Sequence, residues 1–317
     1  MADEVRIHAP DEARRLEAVA VFLRSFRQES ESSASWLDHF TRMLIDAKLA
    51  HLLVAVDKGS AGGVSEVGGL ATDAGGDIGG DAGGGSVAGR PGGKVIGCGA
   101  LICFPRVAWV ALMGVDPGLQ KKGVGNSLMS ALMGHAADLG YKTVKLDATN
   151  FGRGLYAKHG FVDEYPAHMY EIPTSCDLGE QGGPRVRLDE EMPEWCLALD
   201  REAVGDDRRA LFEAVLADGG KVIMVEGDGF GMLHGRKIGP VIARSVDAAI
   251  AIVRRADSFG ANRIYVPHHG DLNEGFLVGL KEMPPRWELK CCTRMIKGEP
   301  VKQNLSLEFA GYSAATG

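Results

Sequence analysis

The sequence predicts a mixed α/β fold in two domains, and three observations carry that expectation. Short apolar runs alternate with amphipathic stretches of helical period through the first half. A strand, a glycine-bearing turn and a helix follow one another without interruption between residues 108 and 139. Beyond a polar Gly/Pro-rich segment the alternation begins again, in a chain whose 317 residues allow each half a core of its own.

Asp11–Gln28 and Trp36–Lys48 read as two helices. In the first, Leu16, Val19, Ala20 and Leu23 share one face, and Asp11, just after Pro10, is a helix-start signal. His51–Val56 is a strand. From Gly59 to Gly93, fifteen of thirty-five residues are Gly and none is aromatic. Such a stretch cannot bury enough apolar surface to offset the entropy of ordering it, so it reads as a disordered insertion in a loop between strands. Strands resume at Lys94–Phe104 and Ala108–Val115. The helix that follows carries Val124, Leu128, Leu132 and Leu139 along one side and stops at Gly140. Val144–Asp147 is a strand, Arg153–His159 a short helix closed by Gly160, and Phe161–Tyr165 opens another strand. The first domain on this reading is 1–172, and Pro173–Pro184 (PTSCDLGEQGGP) is the linker. The second domain, 185–300, has helices at Asp206–Leu216, Val246–Phe259 and Leu272–Met283, and strands at Val222–Val225, Arg263–Val266 and Glu288–Ile296. It reads as a smaller copy of the first, with 301–317 as a tail.

Hydrophobic content of 45% and charged content of 24% are those of a globular protein. A formal net charge of −7 excludes the broad basic surface of a general nucleic-acid binder. No apolar run reaches transmembrane length, and Met1–Val5 does not begin a basic, then apolar, secretory signal. A cytoplasmic protein without a membrane partner is expected. The six cysteines (Cys98, Cys103, Cys176, Cys196, Cys291 and Cys292) show neither C-x-x-C nor zinc-like spacing, so reduced thiols and no metal are expected.

The run Val115-Asp116-Pro117-Gly118-Leu119-Gln120-Lys121-Lys122-Gly123-Val124-Gly125 is the most informative stretch. It joins an apolar strand to a helix. A turn of this kind aims several backbone N–H groups at one point with a helix N-terminus behind them, which is a site for phosphate or pyrophosphate. The glycines let a ligand approach the backbone, and Lys121 and Lys122 add positive charge. The spacing is not the G-x-x-x-x-G-K-[ST] of a P-loop, nor the G-x-G-x-x-G of a dinucleotide fold. The pattern V-x-x-x-x-Q-x-x-G-x-G resembles instead the acetyl-CoA pyrophosphate loop of the GNAT superfamily of N-acetyltransferases. A second stretch, Leu146-Asp147-Ala148-Thr149-Asn150-Phe151-Gly152-Arg153-Gly154-Leu155-Tyr156-Ala157-Lys158-His159-Gly160-Phe161, is similar to the L-Y-x-x-x-G-F signature of the same enzymes. The wider string resembles a two-domain GNAT type with a degenerate second GNAT-like domain. Ile238-Gly239-Pro240-Val241-Ile242-Ala243 and the Arg294-Met295 pair also fit that type, whereas Pro284-Pro285-Arg286-Trp287 stands where a Gly-Phe would be expected.

The resemblance implies a GNAT-like acyl-CoA-binding fold followed by a smaller GNAT-like domain, with acetyl-CoA as co-substrate. It implies pyrophosphate on the backbone of Gln120, Lys121, Lys122, Gly123, Val124 and Gly125, with Asn126 opening the helix and able to cap it. It places the pantetheine arm along Leu112, Met113, Gly114 and Val115, with Asn150 and Arg153 beside the cofactor. Tyr156 matches the tyrosine that protonates the departing thiolate in many family members; a packing role at the helix–strand junction is the alternative. No cysteine is placed as an acyl carrier, so direct attack by the amine is expected. No general base is evident: Asp116 reads as a turn residue, Asp147 suits a structural hydrogen bond as well as catalysis, and His268 and His269 read as an exposed loop pair. The expected activity is acetyl transfer to a primary amine of a small or amino-acid-like molecule, by a monomer or homodimer. A non-catalytic acyl-CoA-binding sensor or scaffold, and a protein lysine or N-terminal acetyltransferase, are the alternatives.

Overall fold

Apolar alternation in the first half yields six strands: β1 (Val5–His8), β2 (Ala50–Asp57), β3 (Val95–Cys103), β4 (Val107–Val115), β5 (Thr143–Ala148) and β6 (Val162–Glu171). Helices α1 (Glu12–Ser25) and α2 (Glu31–Asp46) lie between β1 and β2, α3 (Val124–Asp138) between β4 and β5, and α4 (Asn150–Lys158) between β5 and β6. The second half repeats this order: β7 (Val186–Asp189), α5 (Glu194–Val204), α6 (Arg209–Ala217), β8 (Lys221–Val225), β9 (Gly229–His234), β10 (Lys237–Ala243), α7 (Val246–Asp257), β11 (Arg263–Pro267), α8 (Glu274–Glu282) and β12 (Trp287–Gly298). A last strand, β13 (Glu308–Ala310), has no counterpart in the first half. The structure, a computed structural model, describes residues 5–26, 31–57, 93–171, 184–282 and 287–314. The expected glycine-rich insertion and linker lie, apart from Gly93 and Pro184, outside the described residues.

Local chemistry accounts for the element ends. Asp11 caps α1 by accepting from the Arg14 N–H at 2.9 Å. The face of α1 turned to the sheet is nevertheless not the one expected: Ala18, Val19, Val21 and Leu23 are buried while Leu16 is half exposed. Arg15, itself buried, pairs with Asp38 of α2 and so fixes the rotation of one helix against the other.

Among the described residues the strands form one continuous sheet, ordered β1-β2-β3-β4-β5-β12-β6-β11-β10-β9-β8-β7 with β13 on β10. The two halves therefore do not separate at residues 173–184 as expected. β12, from the end of the second half, runs between β5 and β6, with Arg294 opposite Asp147 on one side and Tyr165 on the other. β6 in turn lies between β12 and β11, with Pro267 opposite Ala167. Each half lends its last long strand to the other, so neither sheet is complete alone. The expected tail is likewise corrected: Leu307, Phe309, Ala310 and Tyr312 are buried, because β13 pairs with β10 and fills space between it and β11.

One face of the sheet carries α1, α2, α5 and α6 over a single apolar core that crosses both halves, from Val54, Ile102 and Trp109 to Leu197, Phe212, Phe230 and Tyr312. Each such side chain contributes about 1.5–3 kcal/mol by burial. On the opposite face the two larger cores are separate. One lies under α3 and α4 (Val110, Met129, Leu132, Leu146, Tyr156) and one under α7 and α8 (Ile238, Ile252, Ile264, Phe276).

The strand exchange is fastened by charge. The Arg294 guanidinium donates to both Asp147 oxygens, at 3.0 and 2.9 Å, and to the Tyr165 hydroxyl at 3.0 Å. It stacks 4.7 Å from the Trp109 ring centre, and Glu308 approaches it at 3.7 Å. Arg294 and Asp147 are buried to 2% and 0% side-chain exposure, so removing one partner strands the other charge. Arg294→Met is expected to cost about 3–5 kcal/mol in urea unfolding, and Asp147→Leu with Arg294→Met to cost less than the sum of the two single changes. A chain ending at residue 184 lacks β12 between β5 and β6 and is expected to show no cooperative unfolding transition.

Candidate active site

β4 and β5 run parallel and are hydrogen-bonded from Val107 opposite Thr143 to Val110 opposite Leu146, and there the pairing ends. Beyond it, β4 stays paired only with β3, through a bulge between Cys98 and Ala100. Leu112 sits in that bulge with φ +53°, a left-handed conformation that a β-carbon makes costly, so the surrounding structure has to hold it. The Cys98 thiol donates to its carbonyl at 3.3 Å. The two strands open as a fork, with Leu112, Met113, Gly114 and Val115 on one arm and Asp147 and Ala148 on the other. Gly114 is required at its position because a β-carbon there would come within 2.9 Å of the Phe22 backbone in α1.

The arm of β4 leads into the glycine-bearing loop. Asp116 begins a short 3-10 turn, Pro117–Leu119, by accepting from the Gly118 N–H at 3.1 Å, and it pairs with Arg24 at 3.5 Å. Gln120 donates its side-chain amide to the Val115 carbonyl at 3.2 Å and so closes the loop on its own base. Lys121 and Gly123 both have positive φ, +60° and +94°, which turns the chain into the start of α3. No side chain caps that helix. The first-turn N–H groups point outward with the positive end of the helix dipole, flanked by the exposed Lys121 and Lys122. Val124 is buried, so only its backbone faces the loop. The expectation that Asn126 caps the helix is corrected: the cap position is Gly123, and the Asn126 side chain meets the His159 ring at 3.0 Å, tying α3 to the end of α4.

α4 crosses this helix start, with Leu155 beside Gly125. Its Thr149 cap accepts from the Gly152 N–H at 3.4 Å and leaves Asn150 exposed at the first position. Arg153 is also exposed, and it is paired with Asp163 at the start of β6. Tyr156 is buried under the fork. Its ring lies against Gly152, where a β-carbon would come within 2.8 Å, and edge-on to Phe161 at 6.3 Å. Burial, and then the nearby Cys292 thiol, push its phenol up to about 12. The group therefore stays protonated across the physiological range and keeps an O–H to donate.

The opposite face of the fork belongs to the ion cluster. Asp147, the first β5 residue beyond the pairing, is committed to Arg294. The exposed pair expected at His268 and His269 is corrected: the His269 side chain is fully buried and its Nε2 lies 3.2 Å from Glu308. Burial pushes the Glu308 carboxyl up, but the His269 hydrogen bond and the Arg294, His269 and Arg208 charges outweigh it and hold it at about 2. Trp109, Lys145, Arg208, Arg294, Gln303 and Glu308 are among the residues lining a small pocket of about 20 Å³, room for about one water molecule. Sequence reading missed Glu308 as a site-side residue; the alternation of Leu305, Leu307 and Phe309 around it was the available signal. Among the described residues no group of three or more His, Cys, Asp or Glu is arranged to hold a metal ion, and no helix is long and apolar enough to cross a membrane.

Two family models match the chain, both described as an acetyltransferase (GNAT) domain, over residues 85–163 and 196–310. The chain belongs to the GNAT acetyltransferases. It is thus a two-domain, acetyl-CoA-dependent acyltransferase. It is similar to an uncharacterized N-acetyltransferase, YitH, of Bacillus subtilis, at 27% identity over 58% of this chain and 70% of that one. An amino-acid acetyltransferase of Mycobacterium tuberculosis is 32% identical over 22% of this chain and 40% of its own length. Among solved structures, a candidate acetyltransferase from Pyrococcus horikoshii superposes with a TM-score of 0.79 at 24% identity, covering 99% of this chain and 96% of that one.

The depressed pKa of Glu308 sets a pH dependence. The unfolded carboxyl titrates near 4.5 and the folded one near 2, so the unfolded chain binds more protons between those values. The stability this GNAT protein draws from Glu308 is complete above pH 4.5, about 3 kcal/mol, and is lost as pH falls toward 2. The difference in urea midpoint between wild type and Glu308→Gln is expected to shrink steadily from pH 5 to pH 3.

Proposed function

We propose that the first domain transfers an acetyl group from acetyl-CoA to the primary amine of a small, amino-acid-like molecule, by direct attack. The observation that carries this reading is the β4–β5 fork opening beside the uncapped start of α3. The pyrophosphate is assigned to the backbone from Gln120 to Gly125, with Lys121 and Lys122 neutralising charge. The pantetheine arm is assigned to the fork along Leu112–Val115, where backbone N–H groups polarise the thioester carbonyl. Asn150 and Arg153 are assigned to the cofactor's flank. Tyr156 is assigned as the donor to the departing thiolate. The amino-acid acceptor class draws on the relative from Mycobacterium tuberculosis. The protein is taken to act in the cytoplasm.

Thermal unfolding tests the cofactor site. At about 100 times its dissociation constant, acetyl-CoA adds roughly 2.7 kcal/mol, a shift of about 5 °C in a chain that unfolds as one unit. Gly125→Glu is the control, since a β-carbon at 125 meets Leu155 and Val115 at ordinary contact distances of 3.5 and 3.6 Å while the carboxylate repels phosphate. A shift retained in that variant would move the cofactor elsewhere. Steady-state kinetics test the acid: Tyr156→Phe is expected to lower kcat about 100-fold with little change in KM for acetyl-CoA. An unchanged kcat would return Tyr156 to a packing role.

A further inference from the structure

The second half repeats the fork. β10 and β11 are parallel and paired only at Lys237 opposite Arg263 and Ile238 opposite Ile264, after which they diverge as β4 and β5 do. Among the described residues the first fork receives no strand. The second receives β13. This strand runs antiparallel to β10, with Val241 opposite Ala310 and Ile242 opposite Glu308, and on its other side the Gly311 N–H donates to the Tyr265 carbonyl of β11 at 2.9 Å. It satisfies backbone groups on both arms, and Leu307, Phe309, Ala310 and Tyr312 are buried with it.

The phosphate position is altered as well. Eight residues, 116–123, connect β4 to α3, but only Arg244 and Ser245 connect β10 to α7. That is too short to curl around a pyrophosphate. The start of α7 is also filled: Ser245 accepts from the Ala248 N–H at 3.2 Å, and its hydroxyl donates to Asp228 at 2.7 Å. Asp247 adds a second negative charge in the first turn. Where α3 offers an uncapped end beside two lysines, α7 offers a capped end beside two carboxylates.

We infer that the second fork takes the chain's own C-terminal strand as its resident ligand, and that this GNAT protein therefore binds one acyl-CoA per chain rather than two. The inference rests on the reading of the first fork as the acyl-CoA site. The occupied fork also delivers Glu308 to Arg294 and His269, so closing the second site builds part of the wall behind the first.

Native mass spectrometry of the full chain with acetyl-CoA, paired with hydrogen exchange, tests this. One acetyl-CoA on the wild type and none on Gly125→Glu is expected, with slow exchange across residues 305–312 that acetyl-CoA leaves unchanged. A second molecule on the wild type, or one retained by Gly125→Glu together with faster exchange at 305–312, would overturn the inference. Binding to neither protein would remove the first-fork reading alone. In that case slow exchange at 305–312 still supports a self-occupied second fork, and fast exchange defeats it.

Discussion

Arg294 meets Asp147 across 147 residues of chain, and the rest of the architecture depends on that meeting. β12 can lie between β5 and β6 only after the second half has been made and folded back. Such non-local pairing is slow to form, because the closure entropy is spent before the contacts are gained. The buried ions make the arrangement selective as well as closed. With β12 in register, Arg294 finds Asp147, Tyr165, Trp109 and Glu308 together. A slip of two residues along β5 would keep the apolar faces matched but would leave a guanidinium buried without its carboxylate. The penalty for an unpaired buried ion exceeds what a few displaced apolar contacts cost. Charge here sets register more than it adds net stability.

The two forks answer one physical problem in different ways. Parallel strands that diverge leave N–H and C=O groups along both arms, and buried backbone groups have to be paired. In the second half the chain pairs them with β13, and the helix start behind is capped by Ser245. In the first half no strand among the described residues enters between the arms, and only Gly123 precedes the start of α3. A duplicated framework can thus keep one copy open to ligand and make the other a structural part. The closed copy is not idle, since its plug carries Glu308 into the shared ion cluster.

How much of this was legible depends on the range of the interactions. The loop from Asp116 to Gly125, the strand before it and the helix after it are local, and their chemistry shows in consecutive residues. The same holds for Tyr156, whose helix is bounded by Thr149 and Gly160. The domain division was not legible in that way, because nothing near Trp287–Gly298 says that this strand pairs with β5 rather than with its own half. Glu308 was hidden for a similar reason: three alternating apolar residues in a terminal segment are a weak strand signal until β10 and β11 are seen to part. Leu16 failed because two faces of α1 are apolar enough to be buried, and the Arg15–Asp38 pair chose between them. Asn126 failed because a glycine with positive φ took the cap position.

The state of Tyr156 constrains the proposed reaction further. A thiol titrates at about 8.5 in water, and the phenol, held up by burial and the Cys292 thiol, titrates at about 12. Handing the proton over completely would be uphill by about 5 kcal/mol if neither value moved. A thiolate beside the phenol raises it further, since two anions in one buried site oppose each other. Within the proposed mechanism, then, the tyrosine stabilises the departing sulfur as a hydrogen-bond donor, at its greatest strength when the charge is greatest. The proton that finally stays on the thiol is the one shed by the nitrogen after the neutral amine has attacked and its new C–N bond has left it positively charged, passed on directly or through the phenol. This arrangement lowers the demand for a strong base on β4, because the amine's proton and the sulfur's need for one are settled within the same fork.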